Sequence, residues 1–159
     1  MYWSLLLSIL LFFGILIVVN IPAPFLGLNF ESDAKPRLWF QPPGFVIPIV
    51  WFVLFTLLGI ARYNLLQAQQ NGYQGWLLGL AVLCATYAYY TLGLAKWMGI
   101  SALWYGLIGN LIVIAFAALV VYKLYPVSKV ASFLTLPVIL WTAFASLIVV
   151  GEMKLEKLI

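Results

Sequence analysis

Five stretches of this chain, residues 5–19, 44–61, 76–95, 98–122 and 131–151, contain no charged residue and are apolar almost throughout. Most approach or exceed the roughly 20 residues with which a helix crosses a bilayer. The whole sequence is 66% hydrophobic and only 8% charged, and no water-soluble fold can hide that much apolar surface. The runs are continuous rather than alternating and outlast the ~10 residues of a barrel strand, so helices are expected. We therefore expect an all-α integral membrane protein. Residues 1–159 form a single five-transmembrane-helix bundle in this reading, with helices at about 5–20, 43–64, 75–95, 98–122 and 130–152 and one long loop at about 21–42. The first run lacks a basic leader, and Asn20-Ile21-Pro22 is a poor cleavage site, so it is kept as helix one.

Charge sets the expected orientation. Loop one (Lys35, Arg37), the turn after helix three (Lys96) and the C-terminal end (Lys154, Lys157) share one face, and Arg62, Lys123 and Lys129 lie on the other. The positive-inside rule then places loop one and the C-terminus in the cytoplasm. The basic residues are scattered rather than clustered, so no nucleic-acid partner is expected. Cys84 is the only cysteine and sits within helix three, where it reads as a small buried hydrophobe.

Conventional catalysis finds few parts here. The chain has no histidine, and its four acids, Glu31, Asp33, Glu152 and Glu156, lie in loop one or near the C-terminus. Histidine triads, paired carboxylates within the membrane, the usual zinc sites and histidine-ligated haem are thereby excluded, and no metal site is expected. No ionisable group sits mid-helix, where an ion pathway would need one. Asn110 is the deepest polar residue, about eleven residues or roughly 16 Å into helix four. We expect it either to make an interhelical hydrogen bond or to touch a ligand.

The aromatics are more informative. Trp3, Trp76 and Trp97 fall at helix ends, where indoles anchor at the headgroup level. Trp51 lies deeper, roughly 12 Å from the loop-one face, and Trp141 falls near mid-membrane. The "TYAYY" segment at residues 86–90 of helix three reaches the same depth, and Trp104 of helix four lies a little above it. Pro48 precedes Trp51 and Pro137 precedes Trp141; each is expected to kink its helix. Pro48, Trp51, Phe52, Phe55 and Gly59 also follow helical spacing along one side. Two readings stand: these rings fill the bundle core, or they line a pocket for a flat, apolar, conjugated ligand.

These residues resemble the TspO/MBR family, the tryptophan-rich sensory proteins and translocator proteins that include the peripheral-type benzodiazepine receptor. "PPGFVIPIVWFVLFTLLGIA" is similar to the family's helix-two pattern, "LPVILWTAFAS" to its helix-five pattern, and "VSKVAS" to the lead into helix five. Several positions depart from it. Phe40 stands where a tryptophan usually precedes the double proline, Tyr87 and Tyr90 replace an asparagine and a tryptophan of helix three, and Val149 replaces an asparagine. The cholesterol-recognition pattern is absent after the helix-five motif, with only a loose match at Val121, Tyr125 and Lys129, so sterol binding is the family property least supported.

The resemblance implies a bacterial-type member of the cell membrane, usually a homodimer, that binds tetrapyrroles (protoporphyrin IX, haem or a bilin) as ligand rather than as a tightly held cofactor. It matches Trp51, Phe55, Trp141 and Ala145 to pocket-lining positions, with Pro42 at the rim, and Tyr87, Tyr90 and Trp104 complete the expected wall. Its expected role is as a receptor linked to stress-related regulation or disposal of tetrapyrroles. The alternatives are light-dependent porphyrin degradation with Trp51 as an electron relay, and transport of porphyrin or lipid. Gly75, Gly79, Ala81 and Ala85 offer small-residue spacing on helix three for a dimer contact or for internal packing.

Overall fold

The computed structural model describes residues 2–28 and 38–159. Its helices are α1 (Tyr2–Asn20), α2 (Pro22–Phe25), α3 (Val46–Gln67), α4 (Gln74–Ala85), α5 (Leu94–Met98), α6 (Ala102–Leu124) and α7 (Lys129–Leu155), and no strand occurs among the described residues. Four helices are long and apolar enough to span a membrane alone, and α4 with α5 forms a fifth, bent span. The chain is thus an all-helical, multi-pass membrane protein. The charged part of loop one, with Glu31, Asp33, Lys35 and Arg37, lies outside the described residues, and so does the part of the orientation expectation that rests on Lys35 and Arg37.

α6 and α7 pack most extensively, followed by α1 with α3 and α3 with α7. Gly106, Asn110, Val113, Ala117, Val120 and Leu124 recur every three or four residues along the buried side of α6. The facing stripe of α7 includes Ala131, Thr135, Val138, Thr142 and Val149. Phe12, Phe55, Leu58, Leu77 and Leu80 complete a core drawn from every span. Outward positions such as Leu111, Ile112, Leu140 and Leu147 are exposed leucines and isoleucines, as a lipid-facing surface requires. Small residues set the closest approach: a Cβ on Gly59 of α3 would stand 2.8 Å from Ile9 Cα of α1.

The prolines act differently from expectation. α3 starts at Val46, whose N–H donates to Pro43 O at 2.9 Å, so Pro42 and Pro43 precede the helix in a turn. Pro48 then falls in the first turn, where backbone N–H groups have no intrahelical acceptor. It removes no hydrogen bond, and the kink expected there has no cause. Pro137 does lie inside α7, which continues through it, and it deprives the Phe133 carbonyl of its donor.

The sharp bend falls in the third span, which the apolar run presents as one straight helix. α4 and the segment from Tyr89 to Met98 meet at 49°, joined by Thr86 and a π-helical turn, Tyr89–Gly93. Side-chain donors add to the backbone hydrogen bonds around this break. Thr86 Oγ1 donates to Val82 O at 2.8 Å, and Thr91 Oγ1 to Tyr87 O at 2.6 Å. Asn20, at the end of α1, donates from Nδ2 to Ala85 O at 3.2 Å, and Tyr89 donates from its hydroxyl to Val19 O at 2.6 Å. The break is therefore stitched to α1, and it carries both Tyr87 and Tyr90.

Candidate functional site

The loop-one end of the bundle is closed by the segment leading into α3. Gln41 Nε2 donates to Glu152 Oε1 of α7 at 2.8 Å, while Gln41 Oε1 accepts from Leu38 N at 3.2 Å. The Leu38 side chain occupies the space that a Cβ on Gly151 would need, so glycine there seats the segment on α7. Phe40 meets Phe144 of α7 edge-on at 6.5 Å, and Phe144 lies 5.7 Å from Trp141. Trp39 adds a ring 5.4 Å from Phe40 and is itself 95% exposed. A continuous aromatic path therefore runs from the membrane surface at Trp39 to Trp141 inside the bundle.

Trp51 and Trp141 are both half-buried, and each finds its ring partner on its own helix; Trp51 meets Phe55 edge-on at 6.2 Å. Phe55 is fully buried in the core, whereas Pro42 and Ala145 are half-buried. Tyr87 and Tyr90 form an edge-on pair at 5.4 Å. A Cβ on Gly106 would lie 3.0 Å from the Tyr87 hydroxyl, and the Tyr90 ring fills the place of a side chain at Gly109. Both tyrosines thus pack on α6 through glycines.

Trp104 stands apart. It is 38% exposed and lies two residues from buried Gly106, about 200° around the helix. Depth put it with the other rings; its azimuth turns it outward. Trp76, expected as an interfacial anchor, is half-buried, with its ring 6.0 Å from Phe116 of α6. The small residues of α4 also divide: Gly75 and Gly79 are exposed, whereas Ala81 and Ala85 lie in the core, unavailable to a second copy.

Three buried polar atoms bordering this layer have no hydrogen-bond partner: Tyr90 OH, Asn110 Nδ2 and Thr142 Oγ1. Asn110 follows the glycine that Tyr90 covers, and Thr142 follows Trp141. Asn110 and Thr142 are each 2% exposed, so the interhelical bond expected of the Asn110 amide is not made. An orphaned polar group in an apolar interior costs about 1–3 kcal/mol and calls for a physical reason. The reasoning from sequence missed Thr142, Phe144, Gln41 and Glu152. Phe144 and Thr142 lie within the helix-five motif itself; nothing local marks the pairing of Gln41 with Glu152.

A recess of about 130 Å³ opens between the third span and α6, lined by Leu83, Tyr90, Leu94, Tyr105, Ile108, Gly109 and Ile112. Its volume falls below the roughly 300 Å³ at which sites for drug-sized ligands begin. Among the described residues no three His, Cys, Asp or Glu side chains gather as metal ligands would. The chemistry on offer is ring stacking and neutral hydrogen bonding.

Comparison with curated proteins found none that matches. A family model described as the TspO/MBR family matches residues 12–152, from the middle of α1 to near the end of α7. On that coverage, the chain belongs to the TspO/MBR family.

Proposed function

We propose that the protein is a membrane receptor for tetrapyrroles (protoporphyrin IX, haem or a linear bilin) that serves their stress-linked regulation or disposal. The observation that carries this reading is the juxtaposition of an aromatic path, Trp39 to Trp141, with unpartnered polar atoms at Tyr90, Asn110 and Thr142. A tetrapyrrole is a flat conjugated surface that stacks on indole and phenyl rings, and its nitrogens and carbonyl or carboxyl groups can meet such atoms. Trp51 and Trp141 abut the ligand in this proposal, Tyr87 and Tyr90 form the adjoining wall, Ala145 leaves room beside Trp141, and Pro42 borders the entrance. Phe55 supports Trp51 from within the core.

Titration of the purified protein with each tetrapyrrole tests the proposal. A saturable Soret shift with tryptophan quenching is expected, and Trp51→Phe with Trp141→Phe should weaken binding roughly five- to tenfold. Binding no tighter than to an unrelated membrane protein would overturn it. Illuminating the same complex in oxygen separates receptor from degrading enzyme: a receptor leaves the ligand's bleaching rate equal to that of free porphyrin in detergent.

A further inference from the structure

At the opposite end of the bundle from loop one, Arg62 stands five residues before the end of α3. Its Nη1 donates to Ser8 Oγ of α1 at 2.9 Å, and Ser8, fully buried, donates in turn to Ser4 O at 2.8 Å. Arg62 Nε is buried with no hydrogen-bond partner. Among the described residues no carboxylate meets this guanidinium. Glu152 and Glu156 lie near the end of α7, which runs antiparallel to α3, and Glu31 and Asp33 precede the other end of α3 in sequence. The charged residues that share Arg62's face, Lys123 at the end of α6 and Lys129 at the start of α7, are both cations. A half-buried cation therefore stands at a membrane face where the described residues supply no counter-charge.

We propose that Arg62, oriented by Ser8, is a binding site for the phosphate of an acidic phospholipid. Five residues place the Arg62 backbone roughly 7.5 Å inside the end of α3; one edge of its guanidinium is held against Ser8 of α1, and because the residue as a whole is only half-buried, the remaining edge is open toward the lipid at that face. The planar guanidinium fork matches phosphate oxygens in pairs, and the Ser8 bond fixes the plane in which it is presented. Lys123 and Lys129 bias the face toward a lipid with net negative charge over a zwitterionic one, whose own cation they repel. The close contact of Gly59 with Ile9 holds α1 and α3 at the separation at which Arg62 meets Ser8. The site is independent of the tetrapyrrole reading, because it lies at the other end of the bundle.

Native mass spectrometry of the full-length protein, released from micelles carrying equal amounts of phosphatidylglycerol and phosphatidylcholine, tests this directly. The wild type should retain phosphatidylglycerol preferentially, and Arg62→Gln should lower that preference about tenfold, the loss expected for charge-assisted hydrogen bonds. Arg62→Lys keeps the charge without the fork and should recover part of the preference. Ser8→Ala, which leaves the cation in place, provides a second variant should Arg62→Gln fold poorly, and it should weaken retention several-fold. Equal retention of the two lipids by the wild type, an unchanged preference in Arg62→Gln or in Ser8→Ala, or displacement of the lipid by millimolar inorganic phosphate would each overturn the proposal.

Discussion

Replacing Gly59 by alanine puts the α1–α3 contact to a sharp test. The added Cβ would lie 2.8 Å from Ile9 Cα, 3.1 Å from Ile9 N and 3.2 Å from Ile9 Cγ1. Two of those atoms are backbone, so no rotamer change relieves the clash. To restore ordinary contact near 3.5 Å, α1 must move away by about 0.7 Å, a gap that forfeits a quarter to a half of the dispersion energy of the atoms it separates. The same movement would stretch the 2.9 Å bond from Arg62 to Ser8 beyond hydrogen-bonding range. Overpacking of this kind costs about 1–3 kcal/mol, and the better helix propensity of alanine returns up to about 1 kcal/mol. With the full return subtracted the net loss is about 0–2 kcal/mol, or a fall in melting temperature of up to roughly 8 °C for a chain of this size. Gly14→Ala is the matched control on α1, because a Cβ there meets nothing within 4 Å; it should hold or raise the melting temperature. Thermal unfolding in detergent, followed by circular dichroism, reads both variants. Gly59→Ala melting at or above Gly14→Ala would refute the close backbone contact and, with it, the spacing argument for Arg62.

Other perturbations follow from the same contacts. Asn20→Leu removes the donor to Ala85 O at the bend and should cost about 1–3 kcal/mol; Tyr89→Phe, which frees Val19 O, should cost a similar amount, and the double variant should cost less than the sum because both tie α1 to one bend. Gly109→Ala must displace the Tyr90 ring and should change tetrapyrrole affinity in a fluorescence titration, whereas Gly75→Ala, with nothing within 4 Å, should leave it unchanged. Gly151→Val unseats Leu38 and should speed backbone hydrogen exchange at residues 38–41, read by mass spectrometry. Cys84, buried in the core, should resist maleimide in the folded protein and react on unfolding; rapid labelling of the folded protein would contradict the packing around α4.

The five spans were legible because an uncharged run of about 20 residues has few fates other than a membrane helix. Their interruptions were not. Proline is tolerated throughout a helix's first turn, so "PPGFVIP" alone does not tell whether Pro43 or a later residue begins α3. The starting point decided whether Pro48 kinks the helix or merely opens it. The bend at Thr86 carries no proline or glycine and leaves hydropathy continuous. Its signal was chemical: Thr86 and Thr91 can bond carbonyls one turn back, and Asn20 ends the neighbouring helix with a side-chain amide free to meet a third. The division of α4 could have been read as well. Gly75 and Gly79 share one side, but Ala81 is two residues on, about 200° around the axis, so the two small-residue pairs never formed a single face.

The same distinction governs the site. Depth along a span follows from counting residues at 1.5 Å each, and on that coordinate Trp51, Tyr87, Tyr90, Trp104 and Trp141 belong to adjoining layers. Azimuth depends on which neighbour each helix packs against, and that is fixed by long-range contacts such as Gly59 with Ile9 and Gly106 with Tyr87. Trp104 and Asn110, both on α6, show the consequence. Trp104, expected in the pocket wall, is 38% exposed; Asn110, expected either to make an interhelical bond or to touch a ligand, holds an amide nitrogen without a hydrogen-bond partner in a buried interface. Packing alone gives little reason to keep a polar side chain there, since an apolar residue of similar size would avoid the desolvation cost. Two further orphaned hydroxyls, on Tyr90 and Thr142, flank the same layer of rings. The combination of aromatic faces with neutral hydrogen-bonding atoms, in a chain without histidine, favours a ligand held by its plane and its polar edge over one held by a metal bond.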